Sequence, residues 1–177
     1  MLGFNNAYLD IETTGLYPHQ DSITVIGIYF CDEGEGKLIQ LYGGSLNREA
    51  LFEVMRGTST LYTYNGERFD LPFIQSRLGA DLSLTHRHID LMFDCWKHNL
   101  RGGLKVVLRT LGIDRETDGL NGLDAIWLWD RYSTQNDLSA LELLLKYNRD
   151  DVINLKQLHD LLSKIRAADR CIDHQDL

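Results

Sequence analysis

Short runs of β-branched and aromatic residues mark the first half of the chain and predict β-strands. The clearest run covers residues 22–31, with the sequence SITVIGIYFC. Four shorter runs of the same kind lie at residues 6–12, 38–42, 58–64 and 87–90. In chain order, the runs at 6–12, 22–31 and 38–42 predict an antiparallel meander with a turn at 32–36, because their connections are too short to hold a crossover helix.

Apolar residues spaced three and four apart predict helices, which dominate the second half of the chain. We expect helices at residues 47–56, 71–78, 104–112, 123–132 and 138 to about 167. One β-α-β unit therefore separates the meander from the helices. This order predicts an α/β fold, a mixed five-stranded sheet flanked by helices with a helix-rich second half. We expect one domain over residues 1–168 and a polar tail at 169–177.

Composition supports a single ordinary globular domain. The chain has 177 residues, of which 44% are hydrophobic and 25% are charged, values near the globular average. No apolar run is long enough to predict a membrane span. Three scattered cysteines, Cys31, Cys95 and Cys171, favour a reducing compartment. Because the N-terminal residues also lack the pattern of a secretory signal, we expect a cytoplasmic location.

The formal net charge of −8 by itself argues against a nucleic-acid partner, because phosphate backbones attract Lys and Arg. Two bound divalent cations would halve that charge and would themselves face a phosphate. Net charge therefore does not decide the partner.

The first candidate for chemistry is the sequence DIETTG at residues 10–15. Asp10 and Glu12 are two apart on a predicted strand, so they share one face, while Leu9 and Ile11 point into a core. Like charges this close are unfavourable unless a cation lies between them. The alternative is an ordinary solvated face of a strand.

The second candidate is the sequence YNGERFDLP at residues 64–72. Asn65-Gly66 is typical of a tight hairpin turn, but Pro72 suits the first turn of a helix. Asp70 then stands at the helix start, where an ordinary N-cap would explain it without any chemistry.

The third candidate lies in the long C-terminal helix. Tyr147 and Asp151 are four apart and fall inside its apolar stripe, although both are polar. Asp150 lies about 100° further round the helix, where we expect it to face water. A Tyr–Asp pair at the edge of the stripe, or an ion pair between Asp151 and a distant Lys or Arg, remains the alternative.

These candidates are more informative together than alone. Asp10, Glu12, Asp70 and Asp151 come from three parts of the chain, and only the fold could bring them together. Carboxylate oxygens favour Mg²⁺ or Mn²⁺ over zinc. A two-metal carboxylate site is suited to hydrolysis of phosphodiester bonds.

The three motifs in this order resemble those of the DEDD exonucleases. The matching sequences are DIET at 10–13, NGxxFD at 65–70 and YxxxD at 147–151. Tyr147 is typical of the tyrosine (DEDDy) branch, because Lys146 stands where the histidine branch has its histidine. The small size is similar to that of stand-alone, YprB-like members. The resemblance implies an RNase H-like fold and 3′→5′ removal of nucleotides with two divalent cations, Mg²⁺ or Mn²⁺.

The resemblance also implies roles for the individual residues. Asp10 would bridge both cations, Glu12 and Asp151 would hold the one on the nucleophile side, and Asp70 would support the second. Tyr147 would orient the attacking water, since a phenol with a pKa of about 10 is a poor base at neutral pH. The implied substrates are single-stranded DNA or RNA 3′ ends, and the products are nucleoside 5′-monophosphates. The expected substrate contacts are Thr13, Leu16, Asn65, Phe69, Lys105 and Arg109.

Weaker signals leave alternatives open. The row Lys97, Arg101, Lys105 and Arg109 is either a solvated face or a phosphate contact. Trp96, Trp127 and Trp129 are expected to pack within the helical layer. His86, His88 and Asp90 share a strand face, but no fourth ligand with fitting spacing accompanies them, which favours structural histidines.

Two other functions compete with the exonuclease. A catalytically silent nucleic-acid-binding module would have little use for clustered acid. An aspartyl-phosphate phosphatase would leave the asparagine–glycine motif without a role. The choice between DNA and RNA stays open, because no motif specifies how a 2′-hydroxyl would be recognised.

Overall fold

A mixed five-stranded sheet in the order β3-β2-β1-β4-β5 forms the centre of the computed structural model, which describes residues 4–32 and 36–173. The strands are β1 Asn6–Thr13, β2 Ile23–Phe30, β3 Lys37–Tyr42, β4 Thr60–Thr63 and β5 Arg87–Asp90. The first three strands pair antiparallel, and β4 pairs parallel to both β1 and β5. The predicted α/β fold, the meander and the β-α-β unit are therefore confirmed.

Six helices accompany the sheet in the part of the chain that the structure describes. They are α1 Arg48–Val54, α2 Asp70–Leu78, α3 Leu91–Lys97, α4 Leu104–Thr110, α5 Gly122–Gln135 and α6 Leu138–Asp173. The sequence analysis did not predict α3, which follows β5 directly, so that no turn residues separate the two elements. Helix α6 continues beyond the predicted end at about 167. The predicted turn at 32–36 and the predicted tail at 169–177 lie partly outside the described residues.

The alternation along β1 divides the core between the two faces of the sheet, as its sequence predicts. Leu9 and Ile11 pack into a cluster with Leu51 and Phe73, which come from α1 and α2. Tyr8 belongs to a cluster on the other face that includes residues of α4 and α6. Asp10 and Glu12 therefore share the face that α6 covers.

The turn before α2 does not form a hairpin. Asn65 adopts a left-handed φ of 63°, and the chain continues into α2 because β4 has parallel neighbours on both sides. The residue preceding the helix is Phe69, so the alternative that Asp70 is the N-cap is wrong. Asp70 instead lies in the first turn of α2, where its side chain is available for another contact.

The described residues contain no helix that is both long enough and apolar enough to cross a bilayer.

Candidate metal centre

Three acidic side chains that are far apart in the sequence meet on one face of the sheet. Asp10 and Glu12 lie on β1, and Asp151 lies on α6, which packs against β1 and β2. Each offers one carboxylate oxygen, and these atoms all lie within 4.8 Å of one another. We call Asp10, Glu12 and Asp151 the carboxylate cluster.

The carboxylate cluster is electrostatically unfavourable without a cation. Burial raises the pKa of Asp10, and the charges of Glu12 and Asp151 raise it further. Burial and the charge of Asp151 likewise raise the pKa of Glu12. Among the described residues, no donor reaches the buried Oε1 of Glu12. A divalent cation would satisfy this oxygen and reduce the repulsion, so the donor set fits Mg²⁺ or Mn²⁺.

Asp70 lies next to the carboxylate cluster but is not one of the three clustered residues. Its side chain is buried, and its Oδ1 accepts a hydrogen bond from the backbone N–H of Ile11 at 3.1 Å. Because Ile11 stands between Asp10 and Glu12, this bond attaches Asp70 to the same stretch of strand. Burial raises the pKa of Asp70 to about 7. Its role at a second cation stays a prediction.

Asn148 fixes the orientation of Asp10. Its Nδ2 donates to the carbonyl oxygen of Asp10 at 3.2 Å and to Oδ2 of the same residue at 3.3 Å. Gln40 donates to Oδ1 of Asn148 at 3.0 Å, which determines which way the amide points. Gly27 makes this approach possible, since a Cβ at that position would lie 2.0 Å from Oδ1 of Asn148.

Arg115 is a cation that already lies against the carboxylate cluster. Its side chain is 4% exposed, its Nη1 pairs with Oδ1 of Asp151, and its Nη2 lies 3.5 Å from Oδ2 of Asp150. Its guanidinium carbon also lies 5.8 Å from the ring centre of Tyr147. Asp151 therefore forms an ion pair with a distant arginine, as one of the open alternatives expected, and it also belongs to the carboxylate cluster. A metal ion at Asp151 would compete with Arg115 for one carboxylate oxygen.

Asp150 is buried, so the prediction that it faces water is wrong. Its Oδ2 accepts hydrogen bonds from the backbone N–H of Thr117 at 3.1 Å and from the Thr117 hydroxyl at 2.6 Å. Asn154 donates to its Oδ1 at 3.0 Å. The segment between α4 and α5 folds over α6 and covers this face of the helix, which helical periodicity could not predict. Asp150 thus anchors the segment that carries Arg115.

Tyr147 and Lys105 form a second pair beside the carboxylate cluster. The Nζ of Lys105 donates to the Tyr147 hydroxyl and, at 2.7 Å, to the carbonyl oxygen of Leu120. Burial, followed by the charge of Asp151, raises the pKa of Tyr147, so its hydroxyl stays protonated at neutral pH. Because Lys105 occupies the hydroxyl oxygen as donor, the hydroxyl proton remains available to a water or a phosphate oxygen.

A cavity of about 440 Å³ opens beside the carboxylate cluster. Its polar lining consists of the carboxylate cluster and Tyr147. Three predicted substrate residues, Thr13, Leu16 and Phe69, also line it. Helix α5 contributes a further wall, which includes Leu123 and Ile126. Leu16 is 71% exposed and Leu123 is 77% exposed. Apolar side chains therefore flank the entrance, next to oxygens that could hold a metal.

The other predicted contacts lie outside that cavity. Lys105 and Arg109 line a separate cavity with Arg115, and Arg109 also pairs with Asp118 at 3.4 Å. The backbone N–H of Asn65 donates to Oδ1 of Asp90 at 2.8 Å.

The histidines near β5 have structural partners. His88 shares a hydrogen bond of 2.8 Å with Thr63, and His86 shares one of 2.8 Å with Thr85. Within the described residues, neither joins a group that could hold a metal. The expectation of structural histidines agrees with these contacts.

The sequence reasoning missed Arg115, Asn148 and Gly27 as residues of the site. Asn148 could have been found, because it is a second polar residue beside Tyr147 on the apolar face of α6. Arg115 lies among other charged residues in a connecting segment and carries no such signal. Gly27 interrupts the most apolar strand, which is itself a hint of a close approach.

Fold and site together define the class to which the chain belongs, an RNase H-like α/β protein with an acidic site on the central strand. A family model described as the RNase_H superfamily matches residues 7–163. The chain therefore belongs to the RNase H superfamily.

One curated protein is similar in sequence, and several solved structures share the fold. An uncharacterised protein of Methanocaldococcus jannaschii, MJ0365, is 28% identical over 178 residues, covering 88% of this chain and 94% of that protein. The family B DNA polymerase of Pyrobaculum calidifontis is 16% identical with a TM-score of 0.68, and the match covers 90% of this chain but only 24% of the polymerase. Brucella melitensis NrnC bound to pGG is 22% identical with a TM-score of 0.63, covering 94% of this chain and 75% of NrnC.

Proposed function

We propose that this protein is a DEDDy-type, stand-alone 3′→5′ exonuclease that uses two divalent cations, Mg²⁺ or Mn²⁺. Its substrates would be the 3′ ends of single-stranded DNA or RNA, and its products nucleoside 5′-monophosphates. The observation that carries this proposal is the carboxylate cluster beside an open cavity. Within it, the Oε1 of Glu12 is buried and has no hydrogen-bond donor among the residues that the structure describes. A cytoplasmic location remains a prediction from the sequence.

Divalent cations bound here would lower the pKa of a water and stabilise the charge of the phosphate and the leaving oxygen. Asp10, Glu12 and Asp151 would hold them, with support from Asp70. Asn148 keeps the Asp10 carboxylate in one orientation. A form of NrnC with bound Mg²⁺ has the same fold, with a TM-score of 0.60 and 19% identity, and this agrees with the proposed cofactor.

The remaining residues position the substrate. The Tyr147 hydroxyl, kept protonated by burial and held by Lys105, would donate its proton to orient the attacking water. Leu16 and Phe69 would contact the terminal nucleoside from one side of the cavity, and Leu123 and Ile126 from the other. NrnC, which has the same fold, has a structure bound to pGG, and this supports nucleotides as the class of ligand for this chain.

A degradation panel tests the proposal. DNA and RNA oligonucleotides labelled at the 3′ or 5′ end are incubated with Mg²⁺, Mn²⁺ or chelator, alongside a circular single strand. We expect release of mononucleotides from the 3′ end that depends on metal, and no cleavage of the circle. Asp10→Ala and Asp151→Asn should reduce turnover at least about 100-fold, and Tyr147→Phe less. Cleavage of the circle, or products from the 5′ end, would contradict the proposal.

The ion pair between Arg115 and Asp151 favours a second candidate, a nucleic-acid-binding module without turnover, because this arginine already neutralises part of the carboxylate cluster. Such a module would bind oligonucleotides equally well with and without Mn²⁺ and would release no mononucleotides from any substrate of the panel.

A further inference from the structure

Two exposed arginines and two aromatic rings form a surface that we call the arginine–tryptophan platform, consisting of Arg68, Phe93, Trp96 and Arg101. The guanidinium carbon of Arg68 lies 5.6 Å from the centre of the Trp96 ring, and that of Arg101 lies 5.2 Å from it. Arg68 also lies 5.7 Å from the ring centre of Phe93. Two cations therefore share one indole ring, which contrasts with the expectation that Trp96 only packs the helical layer.

The two arginines of the platform differ from a neighbouring lysine in having no salt-bridge partner in the described part of the chain. Within residues 4–32 and 36–173, neither Arg68 nor Arg101 forms an ion pair, whereas their neighbour Lys97 pairs with Asp94 at 2.8 Å. Two like charges on one ring repel each other unless an anion lies between or beside them. In a chain with a net charge of −8, such a pair favours an anionic ligand.

The platform is attached to the candidate metal centre by one buried carboxylate. Asp90 is 6% exposed, and its oxygens accept from the backbone N–H groups of Asn65 at 2.8 Å and Glu67 at 3.1 Å. The same carboxylate accepts from the N–H of Met92 at the start of α3, the helix that carries Phe93 and Trp96. The turn held by Asp90 carries Arg68, and the next residue, Phe69, lines the cavity.

We propose that the platform binds the part of a single-stranded nucleic acid that precedes its 3′-terminal nucleotide. The proposal rests on the proposed function, since it extends the substrate beyond the cavity. Guanidinium groups bind phosphates, and an aromatic ring that is partly open to solvent can stack on a base of any sequence. Phe93 and Trp96 are both half-buried. An acidic peptide would satisfy the charge of the arginines but would gain little from the indole ring.

Binding of labelled oligothymidylates of 2 and 12 nucleotides, measured by fluorescence anisotropy in EDTA, tests the proposal without hydrolysis. In the double variant Arg68→Gln/Arg101→Gln, we expect the affinity for the 12-mer to fall at least about tenfold. The slope of log affinity against log salt should become less steep by about 1 to 1.5, as expected for two lost phosphate contacts on a single strand. The affinity for the dinucleotide should change much less.

Arg56→Gln is the matched control, because it removes an exposed arginine that pairs with Glu53 on α1. It should bind the 12-mer within about twofold of the unchanged protein. Arg68→Lys/Arg101→Lys should lose part of the affinity, since a lysine keeps the charge but loses the planar stacking. All variants should unfold as the unchanged protein does, because the replaced arginines are exposed.

Equal binding of the 12-mer by the double glutamine variant and the unchanged protein would overturn the proposal. So would tighter binding of a 12-residue polyglutamate peptide than of the 12-mer at the same salt. If the panel shows no hydrolysis but 12-mer binding depends on the platform, the proposed function fails while the platform remains. If hydrolysis occurs and the double variant binds normally, only the platform is wrong.

Discussion

Arg115 and Asp151 form a buried ion pair beside the carboxylate cluster, so one of the three clustered acids is bonded to an arginine. The pair connects a segment between α4 and α5 to the middle of α6. Any cation that Asp151 binds must share this carboxylate with Arg115 or displace it.

The first prediction concerns Arg115→Gln. Without metal, the free energy of unfolding should fall by about 3 kcal/mol, because the substitution leaves Asp151 buried without its partner. The affinity for Mn²⁺, measured by calorimetric titration, should rise by about tenfold, since the carboxylate cluster becomes more negative and both oxygens of Asp151 become available. Arg109→Gln, an exposed arginine on α4, is the control. Unchanged or weaker Mn²⁺ binding by Arg115→Gln would show that the ion pair does not limit the metal.

The second prediction follows from the burial of Asp150, which the sequence analysis expected to face water. Asp150→Asn should lower the free energy of unfolding by about 2–4 kcal/mol in urea denaturation, because Asp150 is buried and accepts hydrogen bonds from Thr117 and Asn154. We also expect about a tenfold loss of turnover, since the segment that would lose its anchor includes Leu120, whose carbonyl oxygen holds Lys105 beside Tyr147.

Asp160→Asn is the matched control for Asp150→Asn. This exposed carboxylate lies on the same helix and pairs with Lys156 at 2.6 Å. It should change the free energy of unfolding by less than about 0.5 kcal/mol. Equal effects of the two substitutions would mean that the burial of Asp150 has no energetic consequence.

The third prediction tests the close approach of Asn148 to β2. Gly27→Ala should destabilise the protein by about 1–3 kcal/mol, because the new methyl group would lie 2.0 Å from Oδ1 of Asn148. Turnover should fall as well, since Asn148 would lose its contact with Asp10. In the double variant Gly27→Ala/Asn148→Ala, stability should recover relative to the sum of the single changes, while activity should not. Strict additivity of the two stability changes would exclude the clash.

The fourth prediction concerns the pH dependence of stability without metal. The pKa of Asp70 is raised from 3.8 to about 7 by burial. The folded protein therefore keeps this proton up to about pH 7, while the unfolded chain releases it near pH 4. The stabilisation from this proton is complete below pH 4 and is lost as the pH rises to about 7.

Asp70→Asn isolates this effect. Relative to the unchanged protein, the variant should gain stability as the pH rises from 4 to 7, by on the order of a few kcal/mol at the upper end. Unfolding in urea at several pH values in EDTA measures the difference, and Glu142→Gln, an exposed carboxylate on α6, is the control. A difference that does not change with pH would mean that Asp70 ionises as it does in the unfolded chain.

The sequence by itself determined the sheet and the face of β1. The alternation along a strand depends only on neighbouring residues. It was therefore enough to predict that Leu9 and Ile11 face the core, while Asp10 and Glu12 share the opposite face. The helical spacing around Asp151 likewise predicted which side of α6 would face the sheet. Asn47 caps α1, and its Oδ1 accepts from the N–H of Ala50 at 2.9 Å. Such a cap depends only on residues that are close in the sequence.

Only the tertiary structure decided which residues contact the carboxylates of Asp10, Asp150 and Asp151. Arg115 contacts Asp151 because an irregular segment folds across α6. The sequence of such a segment has no periodicity from which its path could be predicted. The same segment covers Asp150, which helical geometry alone would leave in water. Asn148 could approach Asp10 only because Gly27, on a different strand, lacks a side chain. Contacts of this kind depend on distances between elements, and a sequence pattern describes one element at a time.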